Sequence, residues 1–322
     1  MGKRALLTGG TGFVGANLAR RLLRDGLETH LLVRRSHTPW RLDEIRSDVY
    51  LHELDIGDRQ ALRNVVAAIE PDCVYHLAAY GAYSSQTGID RMVATNLLGA
   101  IALLDVCCEV GVRAFVSAGS SSEYGYQAHP TRESDLLQPN SHYAVTKAGA
   151  THYCSLMARE RDIHAVTVRL YSIYGPYEDP TRLIPTLLIQ GLKGKLPPLV
   201  SPETARDFVY VDDAIDAMIR IAACTDLPRG SIYNVCSGHQ TAIRTVVELV
   251  KAKLGIEVEP AYSSMNRRPW DTQVWVGSPD AIARDVGWHA SISLEAGIEE
   301  TLSWFRRDVR RVEFYAERLS AV

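Results

Sequence analysis

Tyr143 and Lys147 lie four apart in a stretch of helical character, so a phenol and an ammonium share one helix face. A lysine placed this way is expected to lower the phenol's pKa from its usual ~10. Such a tyrosine can give or take a proton at a carbonyl or alcohol oxygen. Tyr-x-x-x-Lys alone is common on helices; its force here comes from what precedes it. The run Gly119-Ser120-Ser121-Ser122-Glu123-Tyr124-Gly125 follows an apolar segment at 114–117 and offers hydroxyls to orient the same oxygen. Earlier still comes Thr8-Gly9-Gly10-Thr11-Gly12-Phe13-Val14-Gly15.

That glycine stretch follows the apolar run Arg4-Ala5-Leu6-Leu7 and opens into a segment of helical period from Ala16. Strand, glycine turn and helix in this order make a diphosphate site. Glycines 9, 12 and 15 let the backbone approach the phosphates, and the helix start supplies unpaired N–H groups and a positive dipole end. The next strand, 28–33, ends in Arg34-Arg35-Ser36, where a dinucleotide fold meets the adenosine ribose. An acid there would bind the 2′-hydroxyl of NAD. Guanidinium forks and a serine suit a 2′-phosphate, so NADP(H) is favoured over NAD(H).

The elements that must position these groups alternate. A third strand at 48–52 leads to Asp55 and Ile56, placed to border the adenine, and Asp58 is a candidate cap for the helix reaching Ile69. A strand at 73–76 empties into Leu77-Ala78-Ala79, small enough to leave room for the nicotinamide ribose; His76 inside it reads as a core histidine. The loop beyond carries Tyr80 and Tyr83 at the carboxyl end of a strand, where ligands gather in such folds. Asn140 or Ser141 can cap the Tyr143 helix, and a strand at 164–170 ends at Tyr171 and Ser172. This alternation predicts an α/β fold, a doubly wound parallel sheet of Rossmann type. Prolines then break the period. Residues 1–175 are expected to form the dinucleotide-binding domain, rejoined by about 207–237, with 176–322 as a smaller irregular lobe. Residues 207–222 read as helical and 232–235 as a returning strand.

Several further motifs resemble the extended branch of the short-chain dehydrogenase/reductase family, the nucleotide-sugar epimerases, dehydratases and reductases. They are His-Leu-Ala-Ala at 76–79, Asn96, Tyr-Gly-Pro at 174–176, Arg-Asp-Phe-Val-Tyr-Val-Asp-Asp at 206–213, Tyr-Asn-Val-Cys-Ser-Gly at 233–238 and Gly287-Trp288. The resemblance implies Tyr143 as acid/base, Lys147 as its partner on the cofactor ribose, and Asn96 as support for the proton path. It implies a catalytic hydroxyl at Ser120, counted back from Tyr124-Gly125, or at Ser121, aligned on Glu123. Cofactor contacts would come from Gly9, Thr11, Gly12, Phe13, Val14, Gly15, Leu77, Ala78, Ala79 and Tyr171. A nucleotide-diphosphate sugar would meet Tyr80, Tyr83, Ser122, Glu123, Ser172, Arg182, Arg206 and Arg268. Where dehydratases of the family carry acids after the catalytic hydroxyl, this chain has Ser121 and Ser122, and its wording is nearest to 4-keto-6-deoxysugar reductases. The resemblance therefore implies NADPH-dependent reduction of a C4 ketone, with a 4-epimerase as the alternative; a 4,6-dehydratase, which would need Glu123 as its acid, and a non-catalytic redox-sensing binding protein rank behind it.

Bulk properties agree. A net charge of -3 with scattered basic residues argues against nucleic acid as a partner. Six cysteines without zinc-ligand spacing point to no metal site and to a reducing cytoplasm. The apolar stretch 92–110 is interrupted by Asn96, Asp105 and Glu109, which fits a buried or interface helix better than a membrane span. Small and apolar residues on this helix and the Tyr143 helix exceed what one core face needs, and in the resembled family such helices pair in a homodimer. The arginines between 306 and 318 read as the solvated face of a terminal helix.

Overall fold

The computed structural model describes residues 3–83, 85–265 and 273–320. Ten strands are found there: β1 Arg4–Thr8, β2 Glu28–Val33, β3 Tyr50–Glu53, β4 Cys73–His76, β5 Ala114–Ser120, β6 His164–Leu170, β7 Ser172–Tyr174, β8 Ala205–Tyr210, β9 Ile232–Val235 and β10 Gln240–Ala242. Ten α-helices are described there, α1 Phe13–Arg24, α2 Arg59–Ile69, α3 Ile89–Val110 (with a π-helical stretch), α4 His142–Glu160, α5 Leu183–Gly191, α6 Val211–Ala223, α7 Ile243–Leu254, α8 Asp280–Val286, α9 Leu294–Arg306 and α10 Val309–Ser320, besides 3-10 turns at Asp43–Ile45 and Ser121–Tyr124.

Seven strands form one parallel sheet in the order β3-β2-β1-β4-β5-β6-β9. Its central strands are apolar on both faces because helices cover both. On one face Leu7, Leu31 and Val116 pack with Leu18 and Leu22 of α1 and Ile215 and Met218 of α6. On the other, Leu6, Val74 and Phe115 pack with Val66 of α2, Leu103 and Cys107 of α3 and Met157 of α4. The fold is α/β and doubly wound, and β9 does return to the large sheet beside β6. The order reverses between β1 and β4, which sets the binding crevice at their carboxyl ends.

A three-stranded sheet, β10-β8-β7, gathers its own buried cluster with α5, α7, α9 and α10. Here the expectation of a helix from 207 is corrected: β8 occupies Ala205–Tyr210 and the helix begins only at Val211. Arg206 through Tyr210 pair with β10 on one side and β7 on the other, and these cross-strand contacts override the local helical pattern. Asp207 is fully buried and accepts from the Ser237, Gly238 and Gly277 N–H groups and the Ser237 hydroxyl. It thus ties the small sheet to the segment leaving β9.

The arginine-rich end is two helices rather than one, with Trp304, Phe305 and Tyr315 buried between them and Arg306, Arg307 and Arg310 exposed. Helix α3 is long and apolar enough to cross a membrane by length and composition, and 39% of its most apolar window is buried within the protein.

Candidate active site

The glycine loop has the geometry a diphosphate site requires. Gly9 sits at φ +72°, and a Cβ there would lie 2.6 Å from the Leu77 carbonyl carbon. At Gly15 a Cβ would come within 2.2 Å of the Gly9 oxygen, so only glycine lets α1 approach β1 this closely. Gly12 donates to the Gly9 carbonyl and its own carbonyl starts α1 by accepting from Ala16. Phe13, Val14 and Gly15 therefore open the helix with no acidic side chain in its first turn.

Arg34, Arg35 and Ser36 follow β2 and are exposed; among the described residues neither arginine forms an ion pair. Asp55 is exposed and accepts from Gly57 N–H, while Ile56 packs on Gly99 of α3. At the end of β4 the Thr8 hydroxyl bonds both His76 Nδ1 (2.7 Å) and the Ala78 N–H (3.1 Å), locking Leu77-Ala78-Ala79 against the glycine loop. Burial and the Lys147 charge lower His76 to about 3, so it is a neutral core residue. Asn96 is fully buried in a turn of π-helix. Its amide accepts from Tyr80 N–H and donates to the Tyr80 carbonyl and the Thr146 hydroxyl. It fastens the loop after β4 to the helix of Tyr143.

Ser141 caps α4 by accepting from Ala144 N–H. Tyr143 and Lys147 share the helix face that looks toward the end of β5. Ser120 lies on the side of the Tyr143 phenol, near enough to oppose the rise in its pKa, and is itself held by the Ser122 hydroxyl at 2.7 Å. Ser121 turns away, accepting from Trp275 Nε1 at 3.2 Å. Between the two alternatives, the geometry brings Ser120 to Tyr143. Ser122 meets Ser120 first, rather than standing free for a substrate.

Two expectations are corrected here. Burial raises the Tyr143 phenol to about 12, and Ser120 and Arg182 only partly oppose it; Lys147 does not lower it as expected. Lys147 is 3% exposed, makes no hydrogen bond among the described residues, and is lowered by desolvation. Glu123 does not face a substrate. It is fully buried, accepting from Ser120 N–H and from Arg169 Nε at 2.9 Å, because an ionised carboxylate inside a core needs such partners. Tyr171 is likewise turned inward, bonded to the Thr131 hydroxyl and packed with Tyr124 and Cys236, so its side chain does not line the crevice.

The remaining candidates rim the crevice. Arg182 stacks over Tyr83 at 5.3 Å, Arg91 over Tyr80 at 4.4 Å, and Arg206 over Trp275 at 5.5 Å. Tyr83 and Arg182 both act electrostatically on the Tyr143 phenol. Ser172 is half-buried in β7. Arg268 lies outside the described residues.

Three residues had no signal of spacing to mark them. Trp275 bridges Ser121 and Arg206. Arg41 is buried, donating from Nε to Tyr177 O at 2.7 Å and from Nη1 to Thr11 O at 3.4 Å. Glu178 is 7% exposed with Oε2 unpartnered, and burial raises its carboxyl to about 8.

A glycine cradle that a single methyl would fill, beside a buried and unpartnered lysine, fits a nicotinamide dinucleotide. With a tyrosine beside Ser120 and four residues from that lysine, fold and site define a dinucleotide-dependent enzyme. Residues 5–236 match the family described as the NAD dependent epimerase/dehydratase family, and the chain belongs to it. It is similar to the dTDP-glucose 4,6-dehydratase of Shigella flexneri, 26% identical over 344 residues that cover 96% of this chain and 94% of that protein. Its structure is similar to that of the UDP-glucose 4-epimerase of Thermotoga maritima with UDP-glucose. There the TM-score is 0.85 and identity 25%, over 94% of this chain and 99% of that one. The UDP-glucose 4-epimerase of Thermus thermophilus in complex with NAD gives a TM-score of 0.80 and 28% identity, over 94% and 99%.

Proposed function

We propose that the protein reduces the C4 ketone of a nucleotide-linked deoxysugar with NADPH. The observation that carries this reading is the end of β2, where exposed Arg34 and Arg35 stand in the place of a ribose-binding carboxylate. The dinucleotide, when bound, supplies the hydride. The chain's residues do the rest. Gly9, Gly12 and Gly15 with the α1 N-terminus hold the diphosphate, and Arg34, Arg35 and Ser36 hold the 2′-phosphate. Lys147 holds the nicotinamide ribose. Ser120 orients the C4 oxygen and the Tyr143 phenol gives it a proton. A phenol kept protonated by burial is suited to donation, the reductive direction. Arg206 with Arg268 would clamp the substrate diphosphate, and Tyr80, Tyr83, Arg182 and Ser172 would border the sugar.

Glu123, the carboxylate beside Ser120 that a 4,6-dehydratase reading would need, is paired with Arg169, which speaks for reduction over dehydration. The second reading is a 4-epimerase, supported by the likeness to the two solved epimerases. The same Tyr143, Lys147 and Ser120 serve either reaction. Cofactor affinity separates them: NADPH should bind the cofactor-stripped protein much more tightly than NADH, and Arg34→Ala should collapse that preference. Tight NADH binding, or NAD retained through purification, would transfer the assignment to the epimerase.

The same reading includes a homodimer through α3 and α4. Leu98 on α3 and Val145 and Leu156 on α4 are 53%, 55% and 43% exposed, an apolar load suited to a second copy. Light scattering that gives a monomer at micromolar concentration would remove it.

A further inference from the structure

We propose that Arg41 is a diphosphate-binding residue of the cofactor site; this rests on the glycine loop being that site. Arg41 comes from the loop after β2, yet its side chain is 9% exposed, and no carboxylate pairs with it among the described residues. Among the described residues its hydrogen bonds go to backbone carbonyls, a good one to Tyr177 O and a long one from Nη1 to Thr11 O. A guanidinium has five N–H donors, and one buried without a counter-charge is expensive. Asp179 acts on Arg41 through its charge but forms no ion pair with it, its Oδ1 being taken by the Thr181 N–H and hydroxyl. Glu178, equally buried and with an unpartnered Oε2, forms none either. Burial keeps that carboxyl protonated at neutral pH, so it does not supply the missing charge. Among the described residues no carboxylate contacts Arg41 directly, so its remaining N–H donors are open to an anion from outside the chain.

Position says which anion. Thr11 is the residue of the glycine loop before Gly12, where α1 begins, so the inner end of Arg41 borders the same space as the N–H groups of Phe13, Val14 and Gly15. Guanidinium and phosphate match in shape and charge. The plane of Arg41 lies on the Trp40 ring at 4.2 Å, which fixes the fork in place. Arg34 and Arg35 differ in kind: they are exposed and lie at the far end of the loop, toward the ribose.

The test uses cofactor-stripped full-length protein and calorimetric titration with ADP, NADH and NADPH, well below the melting temperature. Arg41→Gln keeps an N–H for Tyr177 O, and Arg41→Lys keeps the charge. In Arg41→Gln all three ligands should weaken by a similar factor, about 10- to 100-fold for a lost charge-assisted bond. Arg41→Lys should recover part of this. Unchanged ADP and NADH affinity in Arg41→Gln would overturn the inference, as would a loss confined to NADPH, which would assign Arg41 to the 2′-phosphate. The wild-type ratio of NADPH to NADH affinity bears only on Arg34 and Arg35, so failure of the NADPH assignment leaves this test intact.

Discussion

Replacing Glu178 by glutamine should stabilise the folded protein, and increasingly so as pH rises. In the folded chain this carboxyl titrates at about 8 against an ordinary 4.5, because it is buried with one oxygen unpartnered. Between those values the folded state keeps a proton that the unfolded chain has lost, so raising pH draws the equilibrium toward the unfolded chain. At pH 4 both states are largely protonated and the penalty is negligible. By pH 7 it reaches about 3 kcal/mol, taking 1.36 kcal/mol per unit of separation reached. It is complete above about pH 8. Glutamine is neutral in both states and escapes it. Thermal or urea unfolding of the cofactor-free proteins from pH 4 to pH 8 measures the difference. Other buried acids titrate identically in both and cancel. Between pH 4 and pH 8 the gap between variant and wild type should widen by about 4 kcal/mol, or about 6 °C in Tm for a chain of this size. Parallel curves across this range would refute the reasoning, as would a glutamine variant less stable than wild type at pH 7.

Other consequences are as specific. Glu123→Gln leaves the guanidinium of Arg169, 1% exposed, without its partner and should cost about 3–5 kcal/mol in urea unfolding. The double variant Glu123→Met, Arg169→Met should recover most of that, and no recovery would mean that lost packing, not the orphaned charge, sets the cost. Gly15→Ala places a methyl 2.2 Å from the Gly9 oxygen, so NADH affinity should fall at least about tenfold; normal binding would show that the approach of α1 to β1 is not needed. Tyr143→Phe should keep cofactor affinity and lose at least about a hundredfold in turnover. Because burial holds this phenol near 12, the reduction rate should show no fall assignable to Tyr143 between pH 6 and pH 9. A fall in that window that Tyr143→Phe abolishes would mean the bound state tunes the phenol downward after all.

What the sequence determined by itself was whatever depends on neighbours along the chain. Alternation of apolar runs fixed the parallel sheet, and the Gly9–Gly12–Gly15 spacing fixed the turn into α1. The four-residue step from Tyr143 to Lys147 put both on one face, and Asp58 and Ser141 cap α2 and α4 through contacts within three residues. Tertiary structure decided everything set by partners distant in sequence. Residues 207–210 became strand because β10 and β7 offered ladders to pair with. Ser120 rather than Ser121 reaches Tyr143 because Trp275, 154 residues away, takes the other hydroxyl. Glu123 left the candidate substrate site because Arg169 on the neighbouring strand claimed it, and Arg41 was drawn against the glycine loop because it donates to both Thr11 O and Tyr177 O. Above all, the protonation of Tyr143 and Glu178 was not legible from their types or spacing. Desolvation depends on how completely the folded chain excludes water around a group, and only packing sets that.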